Sequence, residues 1–200
     1  MTATKEKETF SFNAENKKRV KQILAKYPAG RQKSGTIPLL DLAQRQNGGW
    51  LSIPAIEHVA EVVNEPYIRV YEVASFYSMF NLKPVGKHFI QVCRTTPCWL
   101  RGSDEITETC KRKLGIGLKE TTKDGQFTLV EVECLGACAN APMVQINDDY
   151  YEDLNAQRME RLIDDLQAER EVKVGSQAGR YCSAPMDGLT TLQSLDEENE

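Results

Sequence analysis

The chain has 200 residues, 40% of them hydrophobic and 27% charged, with a formal net charge of −4. That composition belongs to an ordinary globular protein, and the length suits one large domain or a domain with a substantial appendage. It excludes a domain-wide basic footprint for nucleic acid, and no apolar run approaches the ~20 residues that cross a bilayer.

The N-terminus alternates Lys5, Glu6, Lys7 and Glu8, unlike an Arg-rich, acid-poor mitochondrial presequence. The expectation is a bacterial protein, or one whose presequence has been removed. Residues 1–12 read as a flexible N-terminus and residues 13–82 as a helical bundle. Asn13 is the predicted N-cap of a first helix, on which Val20, Ile23, Leu24 and Tyr27 recur at helical spacing until Pro28 and Gly30. A second helix runs from about Pro38 to Gln46 and stops at Asn47-Gly48-Gly49. A third starts near Pro54, carries Ile56, Val59, Ala60 and Val63 on one face, and is closed by Pro66. A fourth spans about Ile68 to Phe80, with Val70, Val73, Phe76, Tyr77 and Phe80 as an apolar stripe. The Tyr/Phe/Met content of this stripe is read as core packing of the bundle, not as a cofactor box.

Residues 83–168 read as a second domain. Pro84 and Gly86 mark the junction, and His88 to Val92 has strand composition. A helix is expected after Ser103, read as its N-cap, as far as Leu114. Cys110 falls on the apolar face of that helix and is read as a small core residue. A polar connection from Gly115 to Gln126 leads into a strand over Phe127 to Glu133. Met143 to Asn147 and Tyr150 to Glu152 read as a hairpin turning at Asp148-Asp149. A last helix begins at Asn155 and carries Met159, Leu162, Ile163 and Leu166. Residues 169–200 lack periodicity, with Gly175, Gly179, Pro185 and Gly188 interrupting them, and read as an extended tail with an acidic, mobile end at Asp196 to Glu200.

Four cysteines carry the chemistry. Cys93 and Cys98 form a C-x4-C pair after the first strand, and Cys134 and Cys138 a C-x3-C pair after the second. A strand–helix–strand unit makes its strands parallel through a right-handed crossover. Both pairs then leave the same end of one sheet, and if the strands are neighbours they lie roughly 5 Å apart. Structural zinc sites use ligand pairs two to four residues apart, most often two. A two-iron cluster needs two thiolates per iron and suits wider loops, and a C-x4-C step occurs among plant-type cluster proteins. Disulfides are the bland alternative, disfavoured where thiols are kept reduced and no secretory signal is seen. The spacing favours a [2Fe–2S] cluster over zinc and over redox-active thiols.

The segments Val92 to Gly102 and Glu133 to Pro142 resemble the two ligand loops of the thioredoxin-like [2Fe–2S] ferredoxins. Tyr71 to Phe80 is similar to the helix that precedes this domain in the small cluster-bearing E subunits of proton-pumping NADH:quinone oxidoreductases, respiratory complex I. The resemblance runs from about Asn13 to Gly188-Leu189-Thr190-Thr191-Leu192. It implies an α+β or α/β chain with an N-terminal helical bundle followed by a thioredoxin-like domain of order β-α-β-β-β-α, holding one [2Fe–2S] cluster on Cys93, Cys98, Cys134 and Cys138. It implies an electron-transfer subunit of the oxidoreductase (translocase) with no independent catalytic site. The FMN and NADH would sit on a partner subunit, with a large iron–sulfur subunit alongside. It favours a tail that straps a partner. Membrane association would come only through the complex, at the cytoplasmic face of a bacterial inner membrane or the mitochondrial matrix side. The cluster of this family lies near the flavin but off the main path to quinone.

Backbone N–H groups of Arg94-Thr95-Thr96 and Leu135-Gly136-Ala137 are expected to point at the sulfurs, with Gly136 supplying an unusual backbone angle and Pro97 fixing the approach of Cys98. Arg94 and Arg101 are either compensating charges or solvated surface charges. The sequence lacks G-x-G-x-x-G, and Gly115-Ile116-Gly117 is only a fragment of it. His58 and His88 are read as structural, Cys182 as a spare thiol, Asp148-Asp149 and Asp164-Asp165 as a turn and an exposed helix face, and the basic stretch from Lys17 to Lys33 as solvated. Two alternatives stand beside the main reading. One is the equivalent subunit of a soluble NAD-linked hydrogenase or formate dehydrogenase. The other is a structural zinc or thiol module.

Overall fold

The computed structural model describes residues 9–188 and residue 191. Residues 1–8 of the predicted flexible N-terminus (residues 1–12) and the acidic end of the tail lie outside the described residues. The chain divides into two compact units, Met1–Val85 and Gly86–Glu200.

The first unit is helical. α1 (Ala14–Leu24) starts where predicted, with the Asn13 side chain accepting the Asn16 N–H at 2.8 Å. A 3-10 turn (Gln32–Gly35) leads into α2 (Thr36–Gln46). The Ser52 hydroxyl caps α3 (Ile53–Val63) by accepting the Ala55 N–H. α3 ends one residue later, at Asn64, which adopts the left-handed conformation at φ 56°. Pro66 therefore does not close α3; it forms the N-cap of α4 (Tyr67–Phe76). Leu39, Leu40, Ala43, Ile56, Val59, Val63, Val70 and Ala74 share one apolar core. Phe12 is buried in it and Phe10 packs against it, so ordered packing begins ahead of Asn13.

The predicted stripe on α4 needs correction. The helix stops at Phe76 and Tyr77 is extended, so the helical projection lapses there. Phe76 is 80% exposed and Tyr77 41% exposed, whereas the following loop returns Phe80 to the core. Val70 and Ala74 are the residues of α4 that are fully buried.

The second unit is a six-stranded mixed sheet with helices. Its elements are β1 (His88–Cys93), α5 (Thr96–Leu100), α6 (Ser103–Leu114), β2 (Glu120–Thr121), β3 (Phe127–Val132), β4 (Val144–Ile146), β5 (Asp149–Glu152), α7 (Ala156–Gln167) and β6 (Gly175–Ser176). The spatial order is β2-β3-β1-β4-β5-β6. β1 and β3 are parallel neighbours, His88 opposite Phe127 and Cys93 opposite Val132, and β4 runs antiparallel to β1. Ile90, Val92, Ile106, Cys110, Phe127, Leu129, Met159, Leu162 and Ile163 form the core between the sheet and the helices α6 and α7.

α5 and β6 are not among the expected elements, β6 adding a strand from residues read as an extended tail, and three further details depart from expectation. Ser103 is the first residue of α6, not its cap; Gly102 occupies the cap at φ 97°, and the buried Ser103 hydroxyl has no partner among the described residues. The polar connection before β3 contains β2, too short and polar to show a strand pattern. The β4–β5 turn centres on Asn147, at φ 55°, one residue earlier than expected. Among the described residues, no helix is long and apolar enough to cross a membrane.

Candidate metal centre

Cys93 is the last residue of β1, and Cys134 follows the end of β3 by two residues, so both pairs leave the two parallel strands at one end. The other cysteine of each pair sits in a short helical turn that spacing did not reveal. Cys98 lies in α5, where Pro97 occupies the first turn and its missing N–H carries no penalty. Cys138 opens a 3-10 turn, Cys138–Asn140. Gly136, between Cys134 and Cys138, has φ 88°, a conformation open to glycine and strained for other residues.

Cys93 and Cys98 are buried with Ala141 and Met143 around them, whereas Cys134 and Cys138 are exposed. The Cys134 and Cys138 sulfurs are 3.7 Å apart. Burial raises the Cys93 thiol, but the Thr95 hydroxyl and the N–H groups of Leu135 and Thr95 outweigh it and hold Cys93 below the ordinary thiol range. Its partner Cys98 is pushed up to about 12, by burial first and then by the hydrogen bond with the Cys93 side chain. Across the site, the Gly136 N–H and then the Thr95 hydroxyl lower Cys134, while the hydrogen bond to Cys134, with burial, raises Cys138. In each pair one thiol is thus lowered and the other raised. The charges also act between loops: Cys93 bears on Cys134 and Cys138, and Cys138 on Cys98.

The expected N–H donors are present at Thr95, Leu135 and Gly136. Three contributors were not visible in the spacing. Thr95 Oγ1 lies 3.5 Å from Cys93 Sγ and also lowers the Cys134 thiol, so one hydroxyl acts on both loops. The Met143 N–H bonds Cys98. The Tyr150 hydroxyl donates to the Leu135 carbonyl at 2.8 Å and ties the second loop to β5. A threonine immediately before the first helical turn was the available signal for Thr95; the other two depend on the return of β4 and β5 beside the loops.

The remaining candidates fall outside this group. Arg94 stands 3.8 Å from Glu131, which partly neutralises it, and Arg101 is exposed. His58 accepts a long bond from the Phe12 N–H and packs against the Phe10 and Phe12 rings. His88 stacks on Phe127. Cys110 is fully buried in the core of the second unit and Cys182 is exposed in the tail.

Among the described residues, no three His, Cys, Asp or Glu side chains converge as the ligands of a single metal ion. Four thiols in two pairs, electrostatically linked across two adjoining loops and met by N–H donors, fit the donor set of a two-iron cluster, in which each iron takes two thiolates. The family model described as the thioredoxin-like [2Fe-2S] ferredoxin matches residues 20–167. The chain belongs to the thioredoxin-like [2Fe-2S] ferredoxin family.

As a thioredoxin-like [2Fe-2S] ferredoxin, its fold is the mixed sheet with helices seen in the second unit. The chain is similar to the E subunit of the NADH-quinone oxidoreductase of Rickettsia bellii, 64% identical over 78% of this chain and 94% of that protein. It is also similar to the mitochondrial NADH dehydrogenase [ubiquinone] flavoprotein 2 of Dictyostelium discoideum, 54% identical over 92% of this chain and 74% of that protein. Among solved structures, the H2-reduced NAD+-reducing [NiFe]-hydrogenase matches 67% of this chain with a TM-score of 0.60 and 23% identity, a likeness of fold. The chain spans 23% of the length of that hydrogenase chain.

Proposed function

We propose that this chain is the electron-transfer subunit of the NADH dehydrogenase module of a complex I-type NADH:quinone oxidoreductase, with one [2Fe-2S] cluster held by Cys93, Cys98, Cys134 and Cys138. The observation that carries the reading is the meeting of both cysteine pairs at one end of β1 and β3, in a chain that matches 94% of the length of its Rickettsia bellii relative. A bound cluster of this kind takes up and releases one electron at a time.

The residues of this chain supply the setting. Burial of Cys93 and Cys98 keeps water from one side of the site, and the N–H groups of Thr95, Leu135 and Gly136 offset negative charge on the sulfurs. Exposure of Cys134 and Cys138 leaves the other side open to a redox partner. Trp99 and Leu100, directly after Cys98, are 56% and 71% exposed and offer that partner an apolar contact beside the site. NADH releases two electrons as a hydride, so a flavin must separate them before a one-electron carrier can act. The sequence lacks a G-x-G-x-x-G fingerprint, and in this reading FMN and NADH sit on a partner subunit.

In the same reading, residues 13–82 are a helical bundle, residues 83–168 the cluster domain, and residues 169–200 a partner-binding tail. The partners are the flavin- and NADH-binding subunit and the large iron–sulfur subunit. The chain is held peripherally, on the cytoplasmic side of a bacterial inner membrane or the matrix side of a mitochondrial one.

Anaerobic purification of the native assembly tests this. Expected are iron and acid-labile sulfide in equal amounts, visible absorption that bleaches on reduction, and co-purification of a flavin-bearing subunit with quinone-reducing activity. A colourless zinc protein would overturn the cluster assignment. Co-purification with a soluble hydrogenase or formate dehydrogenase instead would move the chain to the equivalent subunit of those enzymes.

A further inference from the structure

We infer that residues 175–182 latch the chain's own second cysteine loop, with Arg180 as a positioning residue for Cys138. The inference rests on the reading of Cys138 as a cluster ligand.

The tail after α7 does not simply leave the domain. β6 adds to the sheet beside β5, Tyr151 opposite Gly175 and Glu152 opposite Ser176, and the Gln177 N–H donates to the Glu152 carbonyl at 2.9 Å. The chain then turns back on Ser176. The Ser176 hydroxyl donates to Asp153 Oδ2 at 2.6 Å and accepts the Arg180 N–H at 3.2 Å. This turn delivers the Arg180 side chain to the cysteine loop. Its Nη2 lies 3.1 Å from Asp153 Oδ1, with the two side chains 11% and 6% exposed. Its Nη1 donates to the Ala139 carbonyl at 2.9 Å, and lies 3.4 Å from Asn140 Oδ1.

Ala139 and Asn140 are the two residues after Cys138 in its 3-10 turn. That turn is only three residues long and its cysteine is exposed, so little apolar packing holds it. Its fixed points are polar: Arg180 on Ala139, the Asp153 N–H on the Asn140 carbonyl at 2.8 Å, and the Asn140 amide, which donates to Glu152 and to the Cys182 carbonyl. Two of these come from the tail. A guanidinium presents several donors in one plane and reaches the carboxylate and the carbonyl together, which a lysine ammonium does not. The tail up to Cys182 is therefore part of the cluster-bearing unit, and a partner contact of the tail begins after it.

The test uses the full-length chain, with cluster and without, as wild type, R180Q, R180K and the core variant I163V. One readout is the rate at which visible absorption is lost to excess EDTA under anaerobic conditions. The other is amide hydrogen exchange of peptides covering 88–93 and 134–154. R180Q is expected to lose its cluster about tenfold faster, the scale of outer-shell effects on metal sites. It is also expected to exchange faster at 138–141 in both forms, with β1 protected as in wild type. R180K recovers part of each effect, and I163V, which loosens the core away from the loop, loses cluster at the wild-type rate. Wild-type exchange at 138–141 in R180Q, or cluster loss as slow as wild type, overturns the latch. If the wild-type chain assembles no cluster, the ligand assignment falls, and exchange at 138–141 in the cluster-free chain still decides the latch: faster in R180Q supports it, unchanged overturns it.

Discussion

Thr95 Oγ1 stands 3.5 Å from Cys93 Sγ, although Thr95 occupies a helix N-cap position where a threonine hydroxyl ordinarily accepts a backbone N–H. Two residues on, Pro97 has no N–H to offer, and the hydroxyl turns to the Cys93 sulfur and also lowers the Cys134 thiol. A hydrogen bond to a charged acceptor contributes roughly 1.5–3 kcal/mol, and the part that grows with charge on the sulfur raises the reduction potential. Thr95→Val is expected to lower the potential of the loaded chain and Thr95→Ser to restore it, as read by a redox titration followed by EPR. A Val variant with the wild-type potential would remove the hydroxyl from the account.

The six cysteines should separate into two classes by substitution. Cys93→Ser and Cys134→Ser are expected to abolish or strongly alter the visible and EPR spectra, because a serine alkoxide is a poor substitute for thiolate. Cys110→Ser and Cys182→Ser are expected to leave those spectra nearly intact. Cys110→Ser should nevertheless lower stability by about 1–3 kcal/mol, since it places a hydroxyl in an apolar site. Normal spectra in Cys134→Ser would refute the ligand assignment.

Cys110 also predicts an alkaline weakness. Burial in the core raises its thiol from 9.0 to about 12. The folded chain therefore holds this proton more tightly than the unfolded chain. The associated stability is complete below about pH 9 and is lost as pH rises toward 12, by roughly 4 kcal/mol over the whole window. Urea unfolding of the cluster-free chain at several pH values should show a shallower alkaline decline in Cys110→Ala than in wild type. Parallel declines would show that Cys110 does not ionise in the folded core.

Gly86 tests the entry to β1. A Cβ there would stand 2.7 Å from the backbone N and C of Phe127, atoms that cannot swing aside, and the Gly86 N–H donates to Thr128 Oγ1 at 2.6 Å. Gly86→Ala is expected to destabilise the second unit by about 1–3 kcal/mol, the usual scale of overpacking. The denaturation midpoint measures this; an unchanged midpoint would mean that the strand pair shifts without strain.

Much of the architecture could be read from local pattern. The Asn13 cap, the apolar face of α3 and the placement of Cys110 all follow from contacts within a few residues, and the structure has each in its expected place. The misreadings have a common source. Tyr77 continues the stripe of α4 by spacing, but the helix stops before it, and Phe76, in the last turn, faces away from the core that Val70 and Ala74 enter. Ser103 has the side chain of a cap, but the left-handed turn at Gly102 begins the helix one residue earlier. Glu120–Thr121 becomes a strand only because β3 lies beside it.

The spacing of Cys93, Cys98, Cys134 and Cys138, and the strands that precede each pair, were enough to indicate two thiol pairs at one end of a sheet, because strand alternation and crossover handedness are local rules. What the folded chain alone decided is the polar shell around those thiols. Thr95 reaching both loops, Tyr150 holding Leu135, and Arg180 returning from 40 positions beyond Asn140 to grip the Cys138 turn are contacts between segments remote in sequence. Such contacts leave no periodic trace, since they depend on where the sheet brings distant backbone together.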